Sequence, residues 1–314
     1  MLLRRLKFLG WLVAVLVVVL GGSYAFAPQW LVQATIKREA MAAHVDQNAV
    51  QVGDTHWVYY EGGQGPTIVL LHGFAADKSE WLKVARLLTP HFHVIIPDLP
   101  GWGHSSRNAD ASYDLQAQAA RLDGFVQALG LQRFVLAGHS TGGAVAAIYA
   151  AGHDDHVAGL ALVDAYGLQG GGTALEGDPT SGQTPFVFDD RSGYQRAMAM
   201  IFNTPPQPPG RFVDVQVKRN QVDRTFIERK LKQLREPSQA LAVQQRLGQL
   251  TMPVLGLWCH DDRLVNLAAL NSLRNGLTRA SAISTSTLAG CNHMPMLEKP
   301  EETAQVLIGF ALSH

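Results

Sequence analysis

From Val50 to the C-terminus, short β-rich apolar runs alternate with stretches of helical character, the pattern of a parallel sheet with covering helices. The runs predict strands over 55–60, 67–71, 93–97, 133–138, 157–163, 253–258 and 282–288. The stretches between them predict helices over 79–88, 114–129, 141–151, 264–276 and 300–312. Thr67-Ile68-Val69-Leu70-Leu71 and Phe134-Val135-Leu136-Ala137 read as continuous apolar runs, as expected of strands buried on both faces.

The alternation breaks over 167–250. Gly170-Gly171-Gly172 opens this segment, Pro205-Pro206 and Pro208-Pro209 interrupt it, and charged helix-like stretches fill it, with one helix predicted over 223–235. A connection this long inside a compact domain reads as a helical cap, a lid or binding element over the core. The core itself is then 50–166 and 251–314.

A different pattern precedes the core. Phe8 to Ala27 is free of charge and mostly apolar, and Arg4, Arg5 and Lys7 stand before it. Its length, about 20 residues, suits one membrane-spanning helix. A cleaved signal peptide is the rival reading, since the basic start, the stretch Leu9 to Leu20 and Ala25-Phe26-Ala27 fit that pattern too. Pro28 argues against cleavage, because proline after the scissile bond hinders the peptidase's extended binding. Residues 1–28 are therefore expected to be an anchor, and 29–49 a juxtamembrane helix and linker, with the helix over 30–43. Either reading exports the domain, with the basic residues on the cytoplasmic side.

Composition narrows the function classes. A chain of 314 residues with 47% hydrophobic content can bury one large core. Its 26 basic and 26 acidic residues cancel, with no basic cluster beyond the extreme N-terminus, which argues against a nucleic-acid partner. The two cysteines, Cys259 and Cys291, have no metal-ligand spacing and do not by themselves indicate a disulfide framework.

The candidate chemistry centres on Gly138-His139-Ser140-Thr141-Gly142. A buried-strand pattern runs directly into this G-x-S-x-G pentapeptide and a small-residue helix pattern runs out of it, which is the strand–turn–helix context of a nucleophile elbow. Gly138 and Gly142 are small because the helix must fold back closely against the strand. A serine hydroxyl is a weak nucleophile, so it needs a base and a group that orients the base. Trp258-Cys259-His260-Asp261-Asp262-Arg263 and Gly290-Cys291-Asn292-His293-Met294-Pro295 each follow a predicted strand and supply Asp262 and His293. Both fall at the strand ends where ligands sit in open α/β sheets.

The chain resembles the α/β-hydrolase fold family in its lipase and esterase branch, over about 50–314. The resemblance rests on His72-Gly73-Phe74, on Pro97-Asp98-Leu99-Pro100-Gly101-Trp102-Gly103-His104-Ser105, on the elbow, and on the Asp262 and His293 segments. Leu71-His72-Gly73-Phe74-Ala75-Ala76-Asp77-Lys78 followed by Trp81, with the N-terminal anchor, further resembles membrane-anchored monoacylglycerol lipases and bacterial anchored lipases and phospholipases A. The resemblance implies Ser140 as nucleophile, His293 as general base and then acid, and Asp262 as orienting carboxylate, with no cofactor or metal. It implies an oxyanion hole from the backbone N–H groups of Phe74 and Thr141, where a single donor is typically worth about 3–4 kcal/mol. The chain departs from the family with Cys259 where glycine is usual and Asn266 where proline is frequent.

Asp261 and then Asp164, which ends the strand Leu160 to Val163, are the ranked rivals to Asp262. His72, His104, His139 and Asp98 read as loop braces. If Asp262 and His293 meet, Cys259 and Cys291 also come close; export permits a disulfide, buried free cysteine is common, and the sequence leaves the pairing open. The implied activity is hydrolysis of acyl-lipid esters: monoacylglycerol, lysophospholipid or phospholipid. The apolar segments Thr184 to Phe188 and Ala197 to Phe202 of the cap are suited to an acyl chain, or to packing the cap onto the core. The alternatives are the same triad on another bond (a C–C hydrolase, a proline-releasing peptidase, a perhydrolase) or a non-catalytic receptor. The sequence leaves chain length, head group and oligomeric state open.

Overall fold

A computed structural model describes residues 2–172, 184 and 186–314. Residues 173–183 and 185, part of the expected cap and of its Thr184–Phe188 segment, lie outside the described residues.

Helix α1 (Leu2–Phe26) is long and apolar enough to cross a membrane, and residues 4–21 are exposed. After the single residue Ala27, α2 (Pro28–Ala42) starts with proline at its first position, where the fixed φ suits a helix and the missing N–H has no intrahelical partner to lose. The core then opens earlier than the sequence predicts. Strand β1 (Val45–Val52) falls in the expected linker and pairs antiparallel with β2 (Thr55–Gly62). Its residues Asp46, Gln47, Asn48 and Gln51 hide it from an apolar-run criterion; it is an edge strand with one partner, so most of its side chains face water.

The remaining elements are β3 (Thr67–Leu71), α3 (Leu82–Leu88), β4 (His93–Pro97), α4 (Leu115–Ala128), β5 (Phe134–His139), α5 (Thr141–Gly152), β6 (Val157–Val163), α6 (Arg191–Ile201), α7 (Gly210–Leu234), α8 (Pro237–Ala240), β7 (Val254–Cys259), α9 (Ala268–Gly276), β8 (Ile283–Leu288), α10 (Pro295–Glu298) and α11 (Pro300–Leu312). Eight strands form one sheet in the order β1-β2-β4-β3-β5-β6-β7-β8, antiparallel up to β4 and parallel from there.

The strand period of two sorts side chains into two cores. Val69 and Leu71 of β3 and Phe134 and Leu136 of β5 face Leu122 and Phe125 of α4. Ile68, Leu70, Val135 and Ala137 face Leu82 and Leu88 of α3 and Leu307 of α11. Helix α2 joins this second core through Ala40, which seats the juxtamembrane helix on the domain.

Two helix boundaries differ from expectation. The cap helix predicted over 223–235 is the C-terminal half of α7, a 25-residue helix whose exposed polar face conceals its periodicity. The stretch 264–276 becomes helical only at Ala268, because the main chain at Leu264 and Val265 is turned toward the Asp262 carboxylate.

Candidate active site

Ser140 stands between β5 and α5 with φ 51° and ψ −120°, a conformation that L-residues rarely adopt. Its N–H donates to Val163 O (2.9 Å), and its carbonyl accepts from Tyr166 N (3.1 Å), so two neighbouring segments hold the strained turn. The glycines follow from close approach. A Cβ on Gly142 would lie 2.3 Å from His72 O, and one on Gly138 would lie 2.4 Å from Gly142 O. Ser140 is 1% exposed, and its Oγ has no hydrogen-bond partner among the described residues.

His293 follows β8, and its Nδ1 lies 2.8 Å from Asp262 Oδ2, with both side chains buried. The other oxygen of Asp262 accepts from the N–H groups of Leu264 (2.7 Å) and Val265 (2.9 Å). Burial opposes ionisation of Asp262, but His293 and these donors outweigh it and hold the carboxyl below the usual carboxylate range. The ionised Asp262 therefore accepts a proton-bearing Nδ1, which leaves His293 Nε2 as the acceptor tautomer.

The rival carboxylates lie elsewhere. Asp261 is exposed and contacts His260 Nδ1 at 2.9 Å. Asp164 is fully buried at the end of β6 with φ 43°, and its Oδ1 accepts the Cys259 N–H at 2.9 Å. Burial, and then the negative charge of Asp262, push Asp164 well above the usual carboxylate range.

The structure resolves the pairing that the sequence left open. Cys259 and Cys291 form a disulfide with Cα atoms 5.3 Å apart. Strands β7 and β8 pair in register up to Cys259 and Leu288, which brings Cys291 back against Cys259. The bond thus fastens the Asp262 loop to the His293 loop.

His72, His139 and Asp98 brace loops, as read from the sequence. His72 Nε2 accepts from Leu99 N (2.9 Å), so its Nδ1 carries the proton and donates to Gly73 O (2.9 Å). Asp98 accepts from Lys78 N, Lys78 Nζ and His104 N at 2.7–2.8 Å. Sequence reasoning missed their partners. Glu80, buried, accepts the Gly73 N–H (3.1 Å) and lies 3.3 Å from His139 Nδ1, while His139 Nε2 donates to His293 O (2.7 Å). No motif marks Glu80, and although Lys78 ends the Leu71–Lys78 segment, only the folded chain pairs it with Asp98.

The carbonyls at the end of α6 have no intrahelical donors. Ala199 O accepts from Arg263, Met200 O from Asn292 Nδ2 and Ile201 O from His293 N, at 2.8–3.1 Å. The C-terminal end of α6 is thereby bonded to both loops that carry Asp262 and His293.

Ser140 and His293 open onto a cavity of about 240 Å³. Phe74, Trp102, Phe186, Phe188, Ala197, Met198, Ile201 and Phe202 line it, so residues of both apolar segments singled out in the sequence reach the site. The main-chain N–H groups of Phe74 and Thr141 have no acceptor among the described residues and belong to the two segments that flank Ser140. The arrangement offers a hydroxyl, an imidazole held by a carboxylate, and two unspent main-chain donors beside an apolar cavity, which is the equipment of acyl transfer.

Residues 66–300 match the model of the alpha/beta hydrolase fold family. The chain is 27% identical to monoacylglycerol lipase ABHD6 of Homo sapiens over 267 residues, 80% of this chain and 77% of that protein. It is 30% identical to lipase 1 of Psychrobacter immobilis over 256 residues, 79% of this chain and 78% of that protein. The crystal structure of a membrane phospholipase A described as a bacterial virulence factor superposes with a TM-score of 0.84 at 36% identity, covering 97% of each chain.

Proposed function

The chain belongs to the α/β-hydrolase fold family, and from that premise we propose that it hydrolyses carboxylic esters of acyl lipids through an acyl-enzyme on Ser140. The observation that carries the reading is the buried His293–Asp262 pair facing, across one apolar cavity, a serine on a strained turn. Relatives named as monoacylglycerol lipase, lipase and membrane phospholipase A support the lipid ester as substrate class.

The steps follow from the geometry. Ser140 Oγ attacks the ester carbonyl as His293 Nε2 takes its proton, and Asp262 stabilises the imidazolium through Nδ1–H. Negative charge on the tetrahedral oxygen falls to the N–H groups of Phe74 and Thr141. His293 returns the proton to the departing alcohol, and water activated by the same imidazole releases the fatty acid. Catalytic apo sites often have long nucleophile–base contacts that tighten around substrate, consistent with the unpartnered Ser140 Oγ.

Helix α1 acts as an uncleaved single-pass anchor, with Arg4, Arg5 and Lys7 cytoplasmic and the catalytic domain on the non-cytoplasmic side. The disulfide fits an oxidising compartment. The edge-on contact of Tyr24 in α1 with Phe212 in α7, centroids 5.8 Å apart, favours retention of α1 over cleavage. The cap comprises 167–250, and its bonded α6 makes it a fixed wall of the acyl site at that end.

The test is a series of p-nitrophenyl esters from short to long acyl chain, run beside monoacylglycerol and phospholipid substrates. Wild-type turnover with loss of at least about a thousandfold in Ser140→Ala is expected. Undiminished turnover in that variant sinks the mechanism. Fluorophosphonate labelling without turnover of any ester moves the triad to another bond.

A further inference from the structure

A second cleft, about 670 Å³, adjoins the one that holds Ser140. Val32 and Ile36 of α2 form one side, Asp77 and His104 of core loops another, and Arg219 and Asp223 of α7 the third. Gln216, Arg219 and Asp223 also line the Ser140 cavity, so one stripe of α7, spaced three and four residues apart, is the partition between the two spaces. The Ser140 side is mainly aromatic and aliphatic, with Glu80, His139 and Asn220 among its polar groups, and the α2 side is the more polar of the two. Because α2 starts one residue after α1, the polar cleft lies at the end of the domain nearest the apolar helix.

Among the described residues, Arg219 is held only by long ion pairs in this partition. Its nearest carboxylate oxygens, on Asp77 and Asp223, are 3.8 and 4.0 Å away, beyond hydrogen-bond distance, and its side chain is 51% exposed. Arg107, by contrast, donates to Asp223 (2.7 Å) and Gly101 O (3.0 Å) and lies 4.1 Å over the Phe226 ring. A guanidinium whose donors make no hydrogen bond among the described residues matches a phosphate, which it can grip with two parallel bonds in exchange for its long ion pairs. The two flanking carboxylates disfavour a ligand of net negative charge and supply a counter-charge for an ammonium.

We propose that this cleft is a headgroup subsite, in which Arg219 takes the phosphate of a zwitterionic glycerophospholipid or lysophospholipid while the acyl chain occupies the apolar cavity. The inference rests on the ester-hydrolase reading above and sharpens it from acyl lipids in general to phosphate-bearing ones.

The experiment compares 1-palmitoyl-lysophosphatidylethanolamine with 1-palmitoylglycerol, which share acyl chain and ester, using the full-length protein in detergent. The wild type is expected to favour the lysophospholipid, and Arg219→Gln to lower the ratio of the two kcat/KM values at least about tenfold, mainly through KM, with Arg219→Lys restoring part. An unchanged ratio in Arg219→Gln, or a wild type that cleaves only 1-palmitoylglycerol, overturns the subsite and leaves the hydrolase reading standing. A wild type that cleaves neither overturns both. A second measurement needs no variant: sn-glycero-3-phosphoethanolamine should inhibit wild-type hydrolysis of 1-palmitoylglycerol better than sn-glycerol 3-phosphate or inorganic phosphate. Equal inhibition by inorganic phosphate assigns the cleft to a free anion and overturns the headgroup.

Discussion

His293 Nδ1 and Asp262 Oδ2 meet at 2.8 Å between two loops that a disulfide also joins, and the carbonyls ending α6 are bonded to the same two loops. The imidazole is therefore positioned by three independent ties: a charge-assisted hydrogen bond, a covalent cross-link and a helix end. Each is open to a separate test.

The hydrogen bond separates the three carboxyls. Asp262→Asn is expected to lower kcat by about 10⁴, as the amide stabilises the wrong imidazole tautomer. Asp164→Asn should cost less than about tenfold, because burial and the charge of Asp262 already disfavour ionised Asp164 and an amide is neutral. Asp261→Asn should leave kcat within about twofold. Steady-state kinetics on one p-nitrophenyl ester checks all three, and a larger loss from Asp164→Asn than from Asp262→Asn would reverse the assignment.

The cross-link encloses a segment with a sequence separation of 32 residues. Cys259→Ala with Cys291→Ala is expected to lose about 3 kcal/mol of stability, from the greater freedom of the unfolded chain. Chemical denaturation with and without reductant reads this loss. Activity should fall severalfold in the same variant, since Asp262 and His293 lie three and two residues from the bridge.

Packing at the elbow gives a third expectation. Gly142→Ala puts a methyl 2.3 Å from His72 O and 2.7 Å from Leu71 O, both main-chain atoms that cannot turn aside. The helix must move off the sheet, at a cost of about 3 kcal/mol and with displacement of the Ser140 turn. Loss of both thermal stability and fluorophosphonate labelling is the expected result; a variant that keeps both would refute the close-approach argument.

Lys230 in α7 is 4% exposed, and burial, only partly offset by Asp114 and reinforced by Arg121 and Arg229, pulls its pKa down to about 7. Its ammonium sits 5.5 Å from the Tyr113 ring. Above pH 7 the unfolded chain holds this proton and the folded one does not, so stability rises with pH between about 7 and 10. Lys230→Met should stabilise the protein by roughly 2 kcal/mol at pH 7 and below, with the gain shrinking toward pH 10. Melting temperatures of the two proteins across that range check the sign.

The sequence alone determined the parallel-sheet architecture, because strands buried on both faces are apolar at every position and declare themselves without partners, as 67–71 and 134–137 do. It also singled out Ser140, Asp262 and His293 as candidates, since the elbow and the strand-end loops are local patterns. Strand β1 escaped it because an edge strand has one partner and a wet face, and α7 was half seen because its polar face looks like a connector. Only the tertiary structure decided what depends on distant segments meeting. The in-register β7–β8 pair closes the disulfide, Glu80 reaches Gly73 and approaches His139, and Asp164 lies buried beside the charge of Asp262. The free energy of such contacts comes from burial and electrostatics between residues that lie from seven to about a hundred positions apart, outside the reach of a local pattern.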